Sequence, residues 1–519
     1  MNIGTPELSL ENTYTTDKSD SVAISTESLT TDTDSSSDST ESLTTDTDSS
    51  SDSTLNFDTH NVIEQKLLNY LKINQINDNF EKITEIFESQ IFDSIYKSNN
   101  CMLPCLSIPP NENEQLLGFV TVIDIGGSTL RISVVEFLPN KKAQCIINKS
   151  WNINNDNKVF NIHFFNWIAT NFKSVIDNQL IEKLSDNDNK IKIGLTWSFP
   201  IIQNIASNRG IVSDLGKGFS VCDEFKSGDL KDIFENCFAS NNIPIKIYTI
   251  VNDSISVFIS GAYFKNSKLG LVQGTGVNSC MLIDSKLFSN EKKSKLPKSY
   301  ALNDKLLVNT EASFLGMHLK DYLSASDHEI SGIWSIIDND NSILPPHLTT
   351  SHYGVFQPLE LLTSGRYIPE IIRRIFINFN DNKKSLFERN FPNTEYSLTA
   401  HQLSLLNQGK NVGFDLIEEE LIILKKITEF VIYRASIILV SYIISLVNIG
   451  KFNSLNELDI SVVGSMLNHF PGYKKAVTEV LIEKSLLEET PNISLDFIED
   501  SSIYGAAISA LINEKRNLI

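Results

Sequence analysis

Residues 121–134 read TVIDIGGSTLRISV, and how this stretch is parsed decides the fold. Its apolar run, with Val122, Ile123 and Ile125, does not alternate with polar residues, which suits a strand covered on both faces. Gly126-Gly127 interrupts the run and Thr129 to Val134 resumes it, so two strands joined by a hairpin-like loop are expected. Glycines at the break permit positive φ and let backbone N–H groups approach a ligand with no Cβ in the way. Ser128 and Thr129 add hydroxyls, Arg131 a permanent positive charge, and Asp124 a carboxylate able to hold Mg²⁺ through water. That set suits a phosphate-bearing anion with a metal better than an apolar ligand. A tight Gly-Gly turn in an ordinary sheet would carry the same residues.

At 519 residues the chain is too long for one simple core, and two lobes plus a tail are expected. Residues 1–54 hold twelve acids against Lys18 alone, so −11 of the net −20 belongs to them. No basic stripe exists to attract nucleic acid. The six cysteines are scattered, and Cys101-x-x-x-Cys105 has no second pair at zinc spacing, so reduced core thiols are expected. The first residues lack the basic start and apolar run of a signal peptide. Ala435–Val447 is apolar but short of the ~18 residues of a membrane span, and reads as a buried core helix. A cytoplasmic protein with neither nucleic acid nor membrane as partner is the expectation.

Within the tail, TESLTTDTDSSSDS occurs at 26–39 and again at 40–53. Its composition offers no apolar surface to offset the entropy of ordering, so 1–54 is expected to be disordered and solubilising. A regulatory protein that binds this acidic segment remains open. Apolar spacing from Asp58 to Ser98 predicts two amphipathic helices broken near Asn74–Asn79. Beyond the Leu103–Pro110 linker, strand-like and helical runs alternate. Strands are expected at Gln144–Trp151, Ile191–Trp197, Ile245–Val251, Leu269–Gln273 and Ile460–Val463. Helices are expected over Phe160–Asp177, Phe356–Phe376 and Asp415–Val447, with a last one from Ser501, while 286–300 and 378–412 read as loops. This alternation indicates an α/β fold with a mostly parallel sheet.

Two glycine loops, Gly126-Gly127-Ser128 and Gly274-Thr275-Gly276, could grip one polyphosphate from opposite sides. No Walker A pattern is present. Between them Asp253, beside Asn252, ends a strand, where a carboxylate could take a proton from a hydroxyl attacking phosphorus. A helix-capping role would account for it equally well.

The residues now assembled resemble the hexokinase family, a branch of the actin-like ATPases. The matching stretches are DIGGSTLRI (124–132), LTWSFP (195–200), GKGF (216–219), VNDS (251–254), GTGVN (274–278), NTE (309–311), QPLELLTSGRYIPE (357–370) and GSMLNHFP (464–471). They keep the family's order across roughly residues 60–515. The resemblance implies a two-lobed, ribonuclease H-like α/β fold. Its expected bounds are N-terminal helices over 55–110 packing on the large lobe, a small lobe over 111–251 joined by 501–519, and a large lobe over 252–500. By the same resemblance, Asp253 and Lys217 are the catalytic residues. Ser198, Phe199, Lys217, Asn252, Asp253, Asn278, Glu311 and Glu360 correspond to sugar contacts. ATP is expected on Gly126, Gly127, Ser128, Thr129, Arg131, Gly274, Thr275 and Gly276, with Gly464, Ser465 and Ser502 at adenosine and Asp124 near Mg²⁺.

Departures from the family pattern bear on the sugar. Gly216 replaces the Thr of Thr-Lys-Gly-Phe, and Ala312 replaces the Trp that follows Asn-Thr-Glu. Ser128-Thr129, Val463-Gly464 and Ser501-Ser502-Ile503-Tyr504-Gly505 also differ, and together they read closest to the fungal N-acetylglucosamine kinases of the family. A smaller residue in place of the Trp is compatible with room for a 2-acetamido group. The resemblance therefore implies phosphorylation of N-acetylglucosamine at O6. A glucose or broad hexose kinase, and a catalytically weak sugar sensor, stand as alternatives.

Overall fold

A computed structural model of the protein describes residues 62–98, 100–154, 157–199, 201–204, 209–212, 219–301, 303–330, 357–487 and 490–516. The acidic tail and Lys217, with Gly216, lie outside the described residues. The chain enters through three helices, α1 (62–70), α2 (Ile73–Asp78) and α3 (Phe80–Lys97), where two were expected. The extra break falls at Lys72, whose φ of 53° no helix can absorb. Buried side chains of these helices, from Leu67 to Ile95, join one apolar cluster with the long helix described below.

After a short strand, β1 (Leu103–Pro104), come β2 (Gly118–Ile125), β3 (Thr129–Leu138) and β4 (Lys142–Asn152), an antiparallel meander. Helix α4 (Ile162–Val175) then precedes β5 (Ile191–Trp197), and α5 (Leu230–Ser240) precedes β6 (Ile245–Val251). These form a five-stranded sheet in the order β6-β5-β2-β3-β4, with β5 parallel to both β2 and β6. The non-alternating run in β2 is explained by cover on both faces. Ile123 and Ile125 enter a core with α4 and α5, whereas Val120 and Val122 face a second core.

Helix α6 (Asp253–Phe264) leads into β7 (Leu269–Gln273), β8 (Val277–Asp284) and β9 (Lys305–Asn309). Further on come α7 (Pro358–Thr363), α8 (Ile368–Phe379), α9 (Glu418–Gly450), β10 (Glu457–Val463), α10 (Tyr473–Leu487), β11 (Asn492–Phe497) and α11 (Ser501–Lys515). The second sheet has six strands in the order β1-β9-β8-β7-β10-β11. Two sheets, each with its own core, make the two lobes. A third core lies between them: Ile255, Phe258 and Ile259 of α6 and Ile503, Ala507 and Leu511 of α11 pack with Val120 and Val122. α11, from the chain's end, thus covers the face of the first sheet opposite α4 and α5.

Several expectations are corrected. The predicted helix 356–376 is two helices, because Ser364 is extended and the N–H groups of Gly365 and Arg366 turn to the β7–β8 loop. The segments read as loops contain Asn290–Ser294, Lys298–Ala301, Lys383–Glu388 and Ala400–Asn407 as helices. Their polar composition hid them, although Thr399 and Gln402 form a reciprocal cap on the last. α9 is long and apolar enough to cross a membrane, but 89% of its most apolar window is buried inside the protein.

Candidate functional site

The hairpin loop between β2 and β3 forms as expected, with the Gly126 N–H donating to Thr129 O at 2.9 Å. Neither Gly126 nor Gly127 has positive φ, so their contribution is the missing Cβ and not left-handed backbone. Ser128 is exposed and Thr129 half-buried beside it. Asp124, one register position inside the loop, is buried and accepts from Arg131 Nε (2.9 Å) and Ser502 Oγ (3.1 Å), both on Oδ2. Burial pushes its carboxyl above the usual range; Arg131 and Ser502 offset part of that, and the charge of Asp253 adds to it. Arg131 also donates to Asp500 Oδ1 (3.2 Å) and Ser502 Oγ (2.7 Å). It is therefore the tie between β3 and the start of α11 as well as a cation at the loop. Ser502, expected near adenosine with Gly464 and Ser465, is drawn by these bonds to Asp124.

Ser198 follows β5 and its N–H donates to Ile125 O at 3.2 Å, which sets it beside the loop. Phe199 is buried, with its ring against Trp197, Phe160 and Phe219. Its side chain belongs to the core of the first sheet. The Phe199–Phe219 contact, 4.7 Å between ring centroids, also anchors the chain immediately after Lys217-Gly218.

Across from the loop, Asn252 caps α6 by accepting from Ser254 N at 3.0 Å, leaving Asp253 half-buried on the first turn. Asn278 donates to Asn309 Oδ1 (2.9 Å) and lies 3.4 Å from Asn252 Oδ1. Asn309 in turn donates to Glu311 Oε1 at 2.7 Å. Glu311 holds φ 49°, a left-handed conformation that costs a non-glycine residue roughly 1–2 kcal/mol and aims its side chain out of the strand path. Asn252, Asn278, Asn309 and Glu311 thus form one polar cluster, with Asp253 next to it on the first turn of α6. Asn309, the first residue of the Asn-Thr-Glu stretch, lies at its centre.

Gly274-Thr275-Gly276 is a tight turn, with Gly274 N donating to Gly276 O at 2.9 Å. A Cβ on Gly276 would lie 2.4 Å from Glu360 Oε2, so the carboxylate occupies the space that any other side chain would take. On the other side of the turn, Gly365 N donates to Gly274 O (2.8 Å) and Arg366 N to Thr275 O (3.2 Å). Helix α7 therefore carries Glu360 to one side of the loop and Gly365-Arg366 to the other. A cavity of about 270 Å³ opens there, lined by Gly365, Arg366, Tyr396, Leu398 and Thr399. None of these is among the expected site residues, although Gly365 and Arg366 fall inside the family-like stretch 357–370; Tyr396, Leu398 and Thr399 lie in a segment whose sequence reads as loop. Gly464 has φ 129° and no room for a Cβ, which would fall 2.2 Å from Gln273 O, and Ser465 lies against Gly274. Two loops, from β7–β8 and β10, thereby meet at this cavity's side of the sheet.

Ala312 is fully buried in the large-lobe core. Its N–H donates to Asn278 Oδ1 at 3.2 Å, so this small residue adjoins the polar cluster. Among the described residues no group of three His, Cys, Asp or Glu side chains could hold a metal unaided. The described cysteines are free thiols, four of them buried.

Residues 60–263 and 268–512 match two family models, both described as hexokinase. The chain is 30% identical over 442 residues to N-acetylglucosamine kinase 1 of Candida albicans, covering 79% of this chain and 85% of that protein. It is 24% identical over 423 residues to hexokinase-1 of Saccharomyces cerevisiae, covering 77% and 81%. Among solved structures, a Schistosoma mansoni hexokinase complexed with glucose superposes with a TM-score of 0.66 at 21% identity, covering 87% of this chain and 99% of that one. That last likeness shows the fold.

Proposed function

The chain belongs to the hexokinase family and is a sugar kinase; from that premise we propose that it transfers the terminal phosphoryl group of ATP to the C6 hydroxyl of N-acetylglucosamine. The position of Asp253 carries the reading. It stands on the first turn of α6, next to the Asn252 cap, and near enough to Asp124 for its charge to be felt there. Asp253 takes the C6 hydroxyl proton as that oxygen attacks the γ-phosphorus, and the bond to the bridging oxygen breaks to leave ADP.

Asn278, Glu311 and Glu360 pair with the sugar hydroxyls, since each buried hydroxyl left unpaired costs ~1–3 kcal/mol. Ser198 and the main chain at Phe199 reach the sugar from the small lobe, together with Lys217. The hairpin loop and Gly274-Thr275-Gly276 hold the phosphates, and the cavity at Gly365-Arg366, near Gly464 and Ser465, takes the nucleoside. Mg²⁺ fits the residues present. Oδ1 of Asp124 carries none of the hydrogen bonds that occupy Oδ2, so it can accept from a metal-bound water. When bound, such an ion neutralises charge developing on the phosphates. The small lobe (111–251 with 501–519) and the large lobe (252–500) are proposed to close on the sugar they share.

The choice of N-acetylglucosamine is supported by the 30% identity to a kinase of that name, against 24% to a yeast hexokinase. A coupled assay of ADP release with N-acetylglucosamine, glucose and mannose tests the proposal. A higher kcat/KM for N-acetylglucosamine is expected; a higher value for glucose would replace this reading with a glucose kinase.

A further inference from the structure

Asn309 sits at the end of β9, held by register pairing to Leu103 on one side and Cys280 on the other. Its buried amide meets three other residues. Oδ1 accepts from Asn278 Nδ2 (2.9 Å), Ser254 Oγ (3.3 Å) and the Glu311 N–H (3.3 Å), and Nδ2 donates to Glu311 Oε1 (2.7 Å). The orientation of this amide is forced. An ionised Glu311 can only accept, so Nδ2 must face it. Asn278 Oδ1 is already taken by the N–H groups of Ser279 (2.8 Å) and Ala312 (3.2 Å), so Asn278 must turn its donor toward Asn309. One donor and one acceptor at fixed separation are required, and an amide supplies both.

We infer that Asn309 is a positioning residue of the sugar site, setting the direction of the Glu311 carboxylate and of the Asn278 amide together. The inference rests on the reading of Glu311 and Asn278 as sugar contacts. Asn309→Asp keeps the shape but puts two carboxylates face to face at hydrogen-bond distance, which is tolerated only when they share a proton. Asn309→Ser removes the reach without adding charge.

The ionisable groups around this cluster are Asp253 on α6, Glu360 on α7, Cys101 before β1, Cys280 on β8, Tyr442 on α9 and, behind Cys101, Lys292. Burial pushes the thiols and the phenol up, Cys101 to about 12, so they stay protonated between pH 6 and 8. Burial brings Lys292 down to about 8, and its effect is common to every variant compared at one pH.

The test is calorimetric titration of the full chain with N-acetylglucosamine and with glucose, without nucleotide, at pH 6 and pH 8. Wild type, N309D, N309S and E311Q are compared, with melting temperatures recorded for each. Both Asn309 variants should bind sugar more weakly than wild type at pH 8 by roughly five- to hundredfold. Relative to wild type, N309D should recover roughly tenfold at pH 6, as a shared proton restores the pair, while N309S should not. An N309D-to-wild-type ratio unchanged by pH, or an N309S affinity within about twofold of wild type, overturns the inference. Should N309D fail to fold at pH 8, uncharged N309S decides alone. E311Q binding sugar as wild type does would instead remove Glu311 as a contact, which overturns the underlying reading and is distinguishable from the other outcomes.

Discussion

Arg131 Nε donates to Asp124 Oδ2 across 2.9 Å, and the two residues face each other as register partners on β2 and β3. The pair carries a stability signature with a definite sign. Burial already lifts the Asp124 carboxyl above its unfolded value, and Arg131 holds it back. A carboxyl raised by folding adds stability at low pH and loses it as pH rises through the folded value. Arg131→Met should raise it further, at a cost of about 2–3 kcal/mol near pH 8, below that of a fully buried pair because Arg131 is 31% exposed. The gap in melting temperature to wild type should be widest near pH 8 and narrow toward pH 5. A gap that is constant with pH would refute the assignment.

Asp253→Asn keeps the size of the side chain and leaves the Asn252 cap in place. Turnover should fall by roughly 10²–10⁴-fold while sugar affinity changes little, because a positioned base acts on the transferring proton. Single-turnover rates together with sugar titration check this. Near-normal turnover would remove Asp253 from the chemistry.

Gly276→Ala would set a methyl 2.4 Å from Glu360 Oε2. The carboxylate must give way, so KM for the sugar should rise by roughly five- to thirtyfold, the loss of about one strong hydrogen bond. KM for ATP should change less. The reverse pattern would mean that this glycine serves the nucleotide.

Arg434 and Asp327 form an ion pair at 0% exposure on both sides, linking α9 to Ser324 and the helix Ala325–Ile330. Burial alone would push the Asp327 carboxyl up, yet Arg434 and Ser324 hold it below the ordinary range. Arg434→Met strands a buried charge and should cost about 3–5 kcal/mol. Adding Asp327→Asn should recover part of that loss. Denaturant melts of the two singles and the double give the coupling; additive losses would show that the pair is not energetically linked.

The parts of the molecule legible in sequence are those whose physics is local. Ile191–Trp197 and Ile245–Val251 match their expected bounds because apolar residues dominate both, with Lys192, Thr196, Lys246 and Thr249 the polar exceptions, and each run stops at a polar turn. Asp253 was found because it follows such a stop. What stayed hidden depends on residues far apart in the chain. Arg131 looked like a loop cation because Asp500 and Ser502, its other partners, are separated from it by 369 and 371 positions. Asn309 carried no mark of its own, since its task is set by what Asn278 and Glu311 have left unfilled.

The placement of α11 has a consequence for synthesis. The strands of the first sheet are all made by Val251, but the helix that covers their inner face begins at Ser501, about 250 residues later. At ~5–20 residues per second, a ribosome needs on the order of 12–50 s to supply it. During that interval Val120, Val122 and Val251 lack the helix that later buries them, beside an unpaired outer edge at β4. A nascent chain stalled before Ser501 is therefore a client for chaperones that bind apolar strands, and a truncation that removes α11 should be far more damaging than its 15 residues would suggest.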